Sequence, residues 1–502
     1  METTLAALAL PLVLGIDPAG AARAHVAARG PEILAELSEF LEIPNVSSDL
    51  ENVRRNANHL VSMLEKRGVA ARLLEVDGAS PAVFGQIATP GATKTIVFYA
   101  HYDGQPVDPD DWTSPPFRPT LRDGDREIPL PKAGAPIDGE WRLFARSASD
   151  DKAPIVAMLA ALDSLRAANV PLRSNVKFFF EGEEEAGSPN LRRILESHRD
   201  ALASDVWLFC DGPVHPSRRM QVVFGVRGVL TLGVTVYGPE RALHSGHYGN
   251  FAPNPAAALA HLLASLRAPD GTILVRGFTD DVRPATDAER RAVVAMPPVE
   301  KAIRDSNGFA ASERDEPIAQ SLERPALNVQ GLLAGGVGEK AANAVPAVAR
   351  AAIDFRLVPD QKPERVKRLV EEHLARAGYH VTHEEPSAET RRSRARIVRL
   401  DWGDGYPAAR TPLDLGIARA IVRAVASAGP EPPVEVPTLG GSLPLHHFGE
   451  ILRAPFVIVP IVNHDNDQHA ANENLRLRNL FDGIATYAAI LAADLEAQLD
   501  AR

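Results

Sequence analysis

Four short runs of almost unbroken apolar residues stand out along the chain: TIVFYAH at 95–101, NVKFFFEG at 175–182, DVWLFCD at 205–211 and PFVIVPIV at 455–462. Strands covered on both faces read this way, because neither side alternates toward water. AVFGQIA at 82–88 is a further β-rich run. Between these runs the apolar spacing changes to the helical period, predicting helices at PEILAELSEFL (31–41), at 51–67 and at KAPIVAMLAALDSLRAA (152–168). Strands alternating with helices predict a three-layer α/β domain with a mostly parallel central sheet.

After Gly228 the texture changes. VLTLGVTVYG (229–238) alternates as a half-exposed antiparallel strand does, with an edge open for pairing. A helix at 254–266, a polar stretch at 267–325, a strand at 348–358 and a helix at 363–378 follow. The α/β texture resumes near Thr411 with LGIARAIVRAV. The expected organisation is an N-terminal extension (1–30), a discontinuous catalytic domain (31–228 and 406–502), and an inserted α+β lid or dimerisation domain (229–405).

Composition narrows the function classes. The 502 residues are 45% hydrophobic and 24% charged, as in ordinary globular chains, and the net charge is −11. That charge excludes a general partner among nucleic acids or anionic membranes. Cys210 is the single cysteine, so no intrachain disulfide and no thiolate metal cluster can form. The apolar run at 5–14 is too short to span a bilayer, which takes ~20 residues. It has the length of a signal-peptide core but no Lys or Arg before it. The expected setting is cytoplasmic; a periplasmic or secreted protein would require residues 1–25 to be an atypical signal.

The ends of the buried runs carry the candidate chemistry. TIVFYAH delivers His101 and runs into Asp103; NVKFFFEG runs into Glu183, Glu184 and Glu185; DVWLFCD ends in Asp211; Asp150 and Asp151 precede the helix at 152. Ligands bind outside the carboxyl ends of strands in open α/β sheets. Imidazole and carboxylate without thiolate suit Zn2+, Mn2+ or Co2+. Each feature alone has an ordinary reading: HxD as a strand-end turn, Asp-Asp as a helix N-cap, an acidic triple as a solvated face. Like charges crowded after a core strand, however, call for a compensating cation.

HYDGQPVD, RSASDDKAP, FFFEGEEEAGS, CDGP, RALHSGHYG and QHAANEN occur in an order that resembles the co-catalytic di-zinc metallopeptidases. That superfamily includes carnosinase-type dipeptidases, glutamate carboxypeptidase, acetylornithine deacetylase and succinyl-diaminopimelate desuccinylase. The resemblance spans about residues 31–495, and the insert together with LNVQGLLAGGVGEKAANAVP points to the carnosinase-type branch. It implies two divalent ions per subunit, zinc first, with manganese or cobalt as alternatives. It implies His101, Asp150, Glu185, Asp211 and His469 as ligands, Asp150 bridging, with Asp103 orienting His101 and Glu184 as general base. His244 would stabilise the oxyanion, reaching the partner subunit of a homodimer joined through the lid. Asn343 and Arg356 would hold the carboxylate end of the substrate, helped by Ser442. The implied reaction is hydrolysis of a peptide C–N bond in a dipeptide or short peptide; the alternative is an N-acyl-amino-acid deacylase. Two departures stand out: Ala153 replaces the glycine usual after DDK, and Ser147 replaces the second glycine of the preceding GRG.

Overall fold

The computed structural model describes residues 17–496. The apolar run at 5–14 lies outside them. In chain order, one sheet takes β1 (Ala70–Leu74), β2 (Ala82–Ile87), β3 (Thr95–His101), β4 (Asn175–Glu181), β5 (Val206–Phe209) and β6 (Gln221–Val223). A second takes β7 (Gly228–Tyr237), β8 (Ala326–Ala334), β9 (Val348–Leu357), β10 (His380–Thr382) and β11 (Ile397–Tyr406). The chain then returns to the first sheet with β12 (Val434–Val436) and β13 (Phe456–Ile458). The result is a mixed α/β protein.

The eight-stranded sheet has the order β1-β2-β4-β3-β5-β13-β6-β12. Its centre, β4-β3-β5-β13, is parallel as expected. The flanks are mixed: β1-β2, β2-β4 and β13-β6 are antiparallel, while β6-β12 is parallel, so parallel pairs remain the majority. Alternate side chains of β3 enter two apolar clusters, Ile96, Phe98 and Ala100 on one face and Val97 and Tyr99 on the other. This double burial is why the run lacks alternation.

The first cluster takes its helices from both ends of the chain: α1 (Pro18–Leu41), α2 (Leu50–Glu65), α3 (Lys152–Ala167), α4 (Gly416–Ala428) and α5 (Leu477–Leu491). Helix α1 starts well before the expected Pro31, which lies inside it. Asp17 caps it, accepting from the N–H groups of Ala19 and Gly20, and Ala19 and Ala22 are buried against the core. From residue 18 onward, therefore, the expected extension is a core helix.

The second sheet has the order β8-β9-β7-β11-β10 and is antiparallel except for β10-β11. The strand expected to offer an open edge, β7, lies between β9 and β11. The exposed edge is β8, with Val329, Leu332 and Leu333 exposed. The polar stretch at 267–325 contains three short helices, Asp287–Ala295, Glu300–Asn307 and Ile318–Leu322. The Pro- and Asp-rich stretch at 106–140 supplies strands Thr120–Asp123 and Arg126–Glu127 to a four-stranded sheet. Strands Arg142–Phe144 and Asn474–Arg476 complete that sheet, so a late segment is tied beside the loop before α3. Among the described residues no helix is long and apolar enough to cross a membrane.

Candidate metal centre

Because β4, β3 and β5 are parallel neighbours, their carboxyl ends open on one edge of the sheet. His101 ends β3, Glu184 and Glu185 sit in a tight turn just after β4, and Asp211 follows β5. Asp150 and Asp151 arrive on the loop before α3, and His469 on the segment tied down by Asn474–Arg476.

Asp150 stands at the centre. One of its oxygens, Oδ1, lies 2.9 Å from His101 Nε2; the other, Oδ2, lies 3.0 Å from His469 Nε2. His469 Nε2 is also 3.3 Å from Glu185 Oε2, and Glu184 Oε2 is 3.9 Å from His101 Nε2. Donor atoms of His101, Asp150 and Glu185 converge closely enough to share an ion, and so do those of His101, Asp151 and Asp211. Two donors ~2.0–2.2 Å from one tetrahedral ion lie ~3.3–3.6 Å apart, so these spacings need little opening to admit metal. The Asp-Asp pair is not a side-chain cap: Asp151 makes no capping bond to α3. Its Oδ2 accepts from the His101 N–H at 3.3 Å, and its buried Oδ1 has no partner.

Asp103 does two jobs. Its main-chain oxygen is 3.2 Å from His101 Nδ1, and its carboxylate Oδ1 is 3.5 Å from the same nitrogen. The carboxylate also accepts the N–H groups of Glu184 and Glu185, at 3.1 and 3.0 Å. One buried Asp thus fixes the ring on β3 and the turn after β4 together. Glu183 is turned away, its carboxylate accepting from the Ser80 N–H at 2.6 Å and from Asn190. Gln105 donates to Glu185 at 2.7 Å.

Electrostatically the cluster is strained without a cation. Burial, then the charge of Asp150, pushes Glu185 up to about 7 and Asp211 up to about 6. Burial raises Glu184 well above the usual carboxylate range, the charges of Asp211 and Asp150 adding to it. The hydrogen bond to Asp150 lifts His469 to about 9 against its burial. His101 is held well above its usual value by Asp103 and Asp150, although burial opposes its charge. Here protons do the compensating that a divalent ion does when ligands bind deprotonated. The donor chemistry, the spacings and the orphaned oxygen of Asp151 all fit a metal.

One supporting residue escaped the sequence reading. Glu473 is fully buried, and its Oε1 accepts from the Ser149 N–H, the Ser149 hydroxyl and the Asp150 N–H at 2.8–2.9 Å. Its Oε2 accepts from the Ser147 N–H and from Arg146, each at 2.8 Å. The loop that presents Asp150 is therefore shaped from the far end of the chain. In that loop Ser147 takes φ 62°, the left-handed region that glycine enters most cheaply. Its hydroxyl accepts from Asn45 at 2.9 Å. Ala153 is buried in the first turn of α3.

The remaining expected residues fall into two pairs apart from this cluster. Leu243–His244 pairs with Ala344–Val345, and Asn343 accepts from the Ser245 N–H at 2.9 Å, so His244 and Asn343 are neighbours. His244 is exposed and stacks near His247. Arg356 donates to the Ser442 hydroxyl at 2.9 Å and to Asp354 at 2.8 Å. Asp465, a few residues before His469, is engaged instead by Arg142 and Arg476.

Imidazoles and carboxylates gathered at the strand ends of an α/β sheet define a metal-dependent hydrolase. The chain belongs to peptidase family M20/M25/M40, whose model matches residues 97–493. It is 25% identical over 475 residues to the Cys-Gly metallodipeptidase dug1 of Schizosaccharomyces pombe, covering 91% of this chain and 94% of that one. It is 27% identical over 417 residues to the Beta-Ala-His dipeptidase of Homo sapiens, covering 82% and 76%. The structure of an M20 family metallo-carboxypeptidase, Sso-CP2 from Sulfolobus solfataricus, superposes with a TM-score of 0.74 at 30% identity, covering 92% of this chain and 98% of that one. The protein is thus a metal-dependent hydrolase of the kind that acts on peptide or amide bonds.

Replacing Glu473 by Ala strands several buried N–H groups and the Arg146 charge. Breaking a buried charge pair costs ~3–5 kcal/mol. Glu473→Ala should therefore melt well below wild type and retain less metal after dialysis; unchanged melting and metal content would remove Glu473 from this role.

Proposed function

We propose that the protein is a two-metal dipeptidase. His101, Asp211 and Asp150 would hold one ion, and His469, Glu185 and Asp150 the other. The observation that carries this reading is the division of Asp150 between the two imidazoles, 2.9 Å on one side and 3.0 Å on the other. Zinc suits the donor set, with manganese or cobalt as alternatives. Bound there, the ions polarise the scissile carbonyl and lower the pKa of a water toward ~7. Glu184 takes the proton of the attacking water and passes it to the leaving amine, the work of a general base turned general acid. The spent Glu183 carboxylate supports that choice. Arg356 and Ser442 hold the carboxylate end of the substrate, with Asn343 adding a contact from the lid.

In this reading residues 31–228 and 406–502 form the three-layer catalytic domain, with α1 added from residue 18, and 229–405 form the lid. The partners are a small substrate and a second copy of the chain; no nucleic acid, membrane or extracellular setting is invoked. Support for a dimer is the open edge of β8, together with the exposed Tyr248, Phe251 and Val337 elsewhere in residues 229–405. Edge strands of this kind are normally paired or covered. His244, exposed in the single chain, then serves the oxyanion in the partner's site.

Three outcomes follow. Glu184→Gln should keep its metal and lose on the order of 10²–10⁴ in kcat, while Asp150→Ala should lose metal; a Glu184→Gln enzyme with full kcat sinks the base assignment. On a panel of free dipeptides against N-acetyl and N-succinyl amino acids, the dipeptides should have the higher kcat/KM; the reverse would favour the deacylase reading. Mixing Glu184→Gln with His244→Ala under conditions of subunit exchange should restore part of the activity, because a heterodimer holds one site with both groups. Absence of recovery despite exchange means that His244 acts within its own chain or not at all.

A further inference from the structure

The loop that carries Ser442 ends in a second group of metal-ligating side chains, separate from the acidic cluster. Donor atoms of His446, His447 and Glu450 lie close enough together to share one ion. The two rings are 3.9 Å apart between centroids, and the Phe448–Leu452 helical turn brings Glu450 back to them. The Nδ1 atoms of both histidines are buried without a hydrogen-bond partner. The rings are half-buried, and imidazole nitrogens closed off from water normally have a partner. Burial, then His447 and Arg192, pushes His446 down to about 4, and burial likewise lowers His447. Neutral imidazole is the form that binds metal.

We propose that His446, His447 and Glu450 form an additional site for a borderline divalent transition ion of the Zn2+ class. Two imidazoles and one carboxylate suit such an ion over Mg2+ or Ca2+, and they leave a position for water. Arg192 lies 4.0 Å from Glu450, but it is bonded to Glu196 at 2.9 Å and keeps that partner when Glu450 turns to the ion. The site adjoins the catalytic region. His446 stacks on Tyr406 at 5.7 Å, and the Glu184 carboxylate helps push the Tyr406 hydroxyl up to about 12. Next to it, Phe448 is packed on Trp207 and Phe209 of β5. An ion there pins the far end of the Ser442 loop to the sheet.

The test separates the two metal sites. Asp150→Ala, with the shared carboxylate of the acidic cluster removed, is titrated with Zn2+ by calorimetry, alone and combined with His447→Gln or Glu450→Gln. Glu450 is exposed, so its variant keeps the fold; thermal melting checks both. The expected result is Zn2+ binding by Asp150→Ala that each second change weakens at least ~10-fold, the low end of what an outer-shell change costs a metal site. Absence of Zn2+ binding by Asp150→Ala overturns the proposal, and so does binding that neither second change weakens. Dependence on His447 and Glu450 is the deciding readout, so the outcome is independent of how many ions the acidic cluster takes.

Discussion

Glu473 accepts the N–H groups of Ser147, Ser149 and Asp150 and the guanidinium of Arg146, all in a buried setting. A carboxylate taken out of water is costly unless its lone pairs are filled, and here they are filled by the backbone of one loop. The rest of the site hangs on that exchange. The loop positions Asp150, Asp150 meets both imidazoles, and the segment bearing Glu473 also bears His469. One ion-pair and backbone network therefore closes the two halves of the first sheet around the acidic cluster. The small sheet of Arg142–Phe144 and Asn474–Arg476 reinforces the closure from outside.

Asp103 performs the equivalent task between β3 and β4, holding the His101 ring with one set of atoms and the Glu184–Glu185 turn with another. Crowding several carboxylates is unfavourable unless each is tethered and a cation is expected. The protein tethers them by backbone geometry, through neighbours that are themselves acidic. HYD thus carries His101 at the cluster and Asp103 in support, EGEEE brings Glu184 and Glu185 to the cluster, and NEN supplies Glu473 as the support of the Asp150 loop.

Much of this was legible in the sequence where burial left a one-dimensional mark. TIVFYAH became β3 with its bounds unchanged, because a strand covered on both faces cannot alternate. The edge of the second sheet was misread for a related reason. Alternation in VLTLGVTVYG reports two unlike faces of a strand, and says nothing of whether its hydrogen-bonding edges are taken; both are. Pro31 suggested a helix start because proline suits the first turn, yet α1 tolerates it internally, and the small residues before it pack closely. Glu473 left no local signal: its partners lie 323 to 327 positions away in the chain.

The division between peptidase and deacylase chemistry lies outside the cluster. A dipeptide and an N-acyl amino acid present the same carboxylate after the bond to be cut. A guanidinium such as Arg356, bonded to Ser442, would pair with either carboxylate alike if, as proposed, it faces that end. They differ before the bond, where one carries an ammonium and the other a neutral or anionic acyl chain. A site whose carboxylates outnumber its cations favours the ammonium by simple Coulomb attraction and repels a succinyl group, an effect strengthened where water is excluded. Divalent metal bound at the cluster would offset that excess there, so the preference would depend on carboxylates that stay uncompensated around the amine. Substrate choice on this scaffold is therefore an electrostatic balance struck at the rim of the metal site, while the clamp at the other end sets only the register.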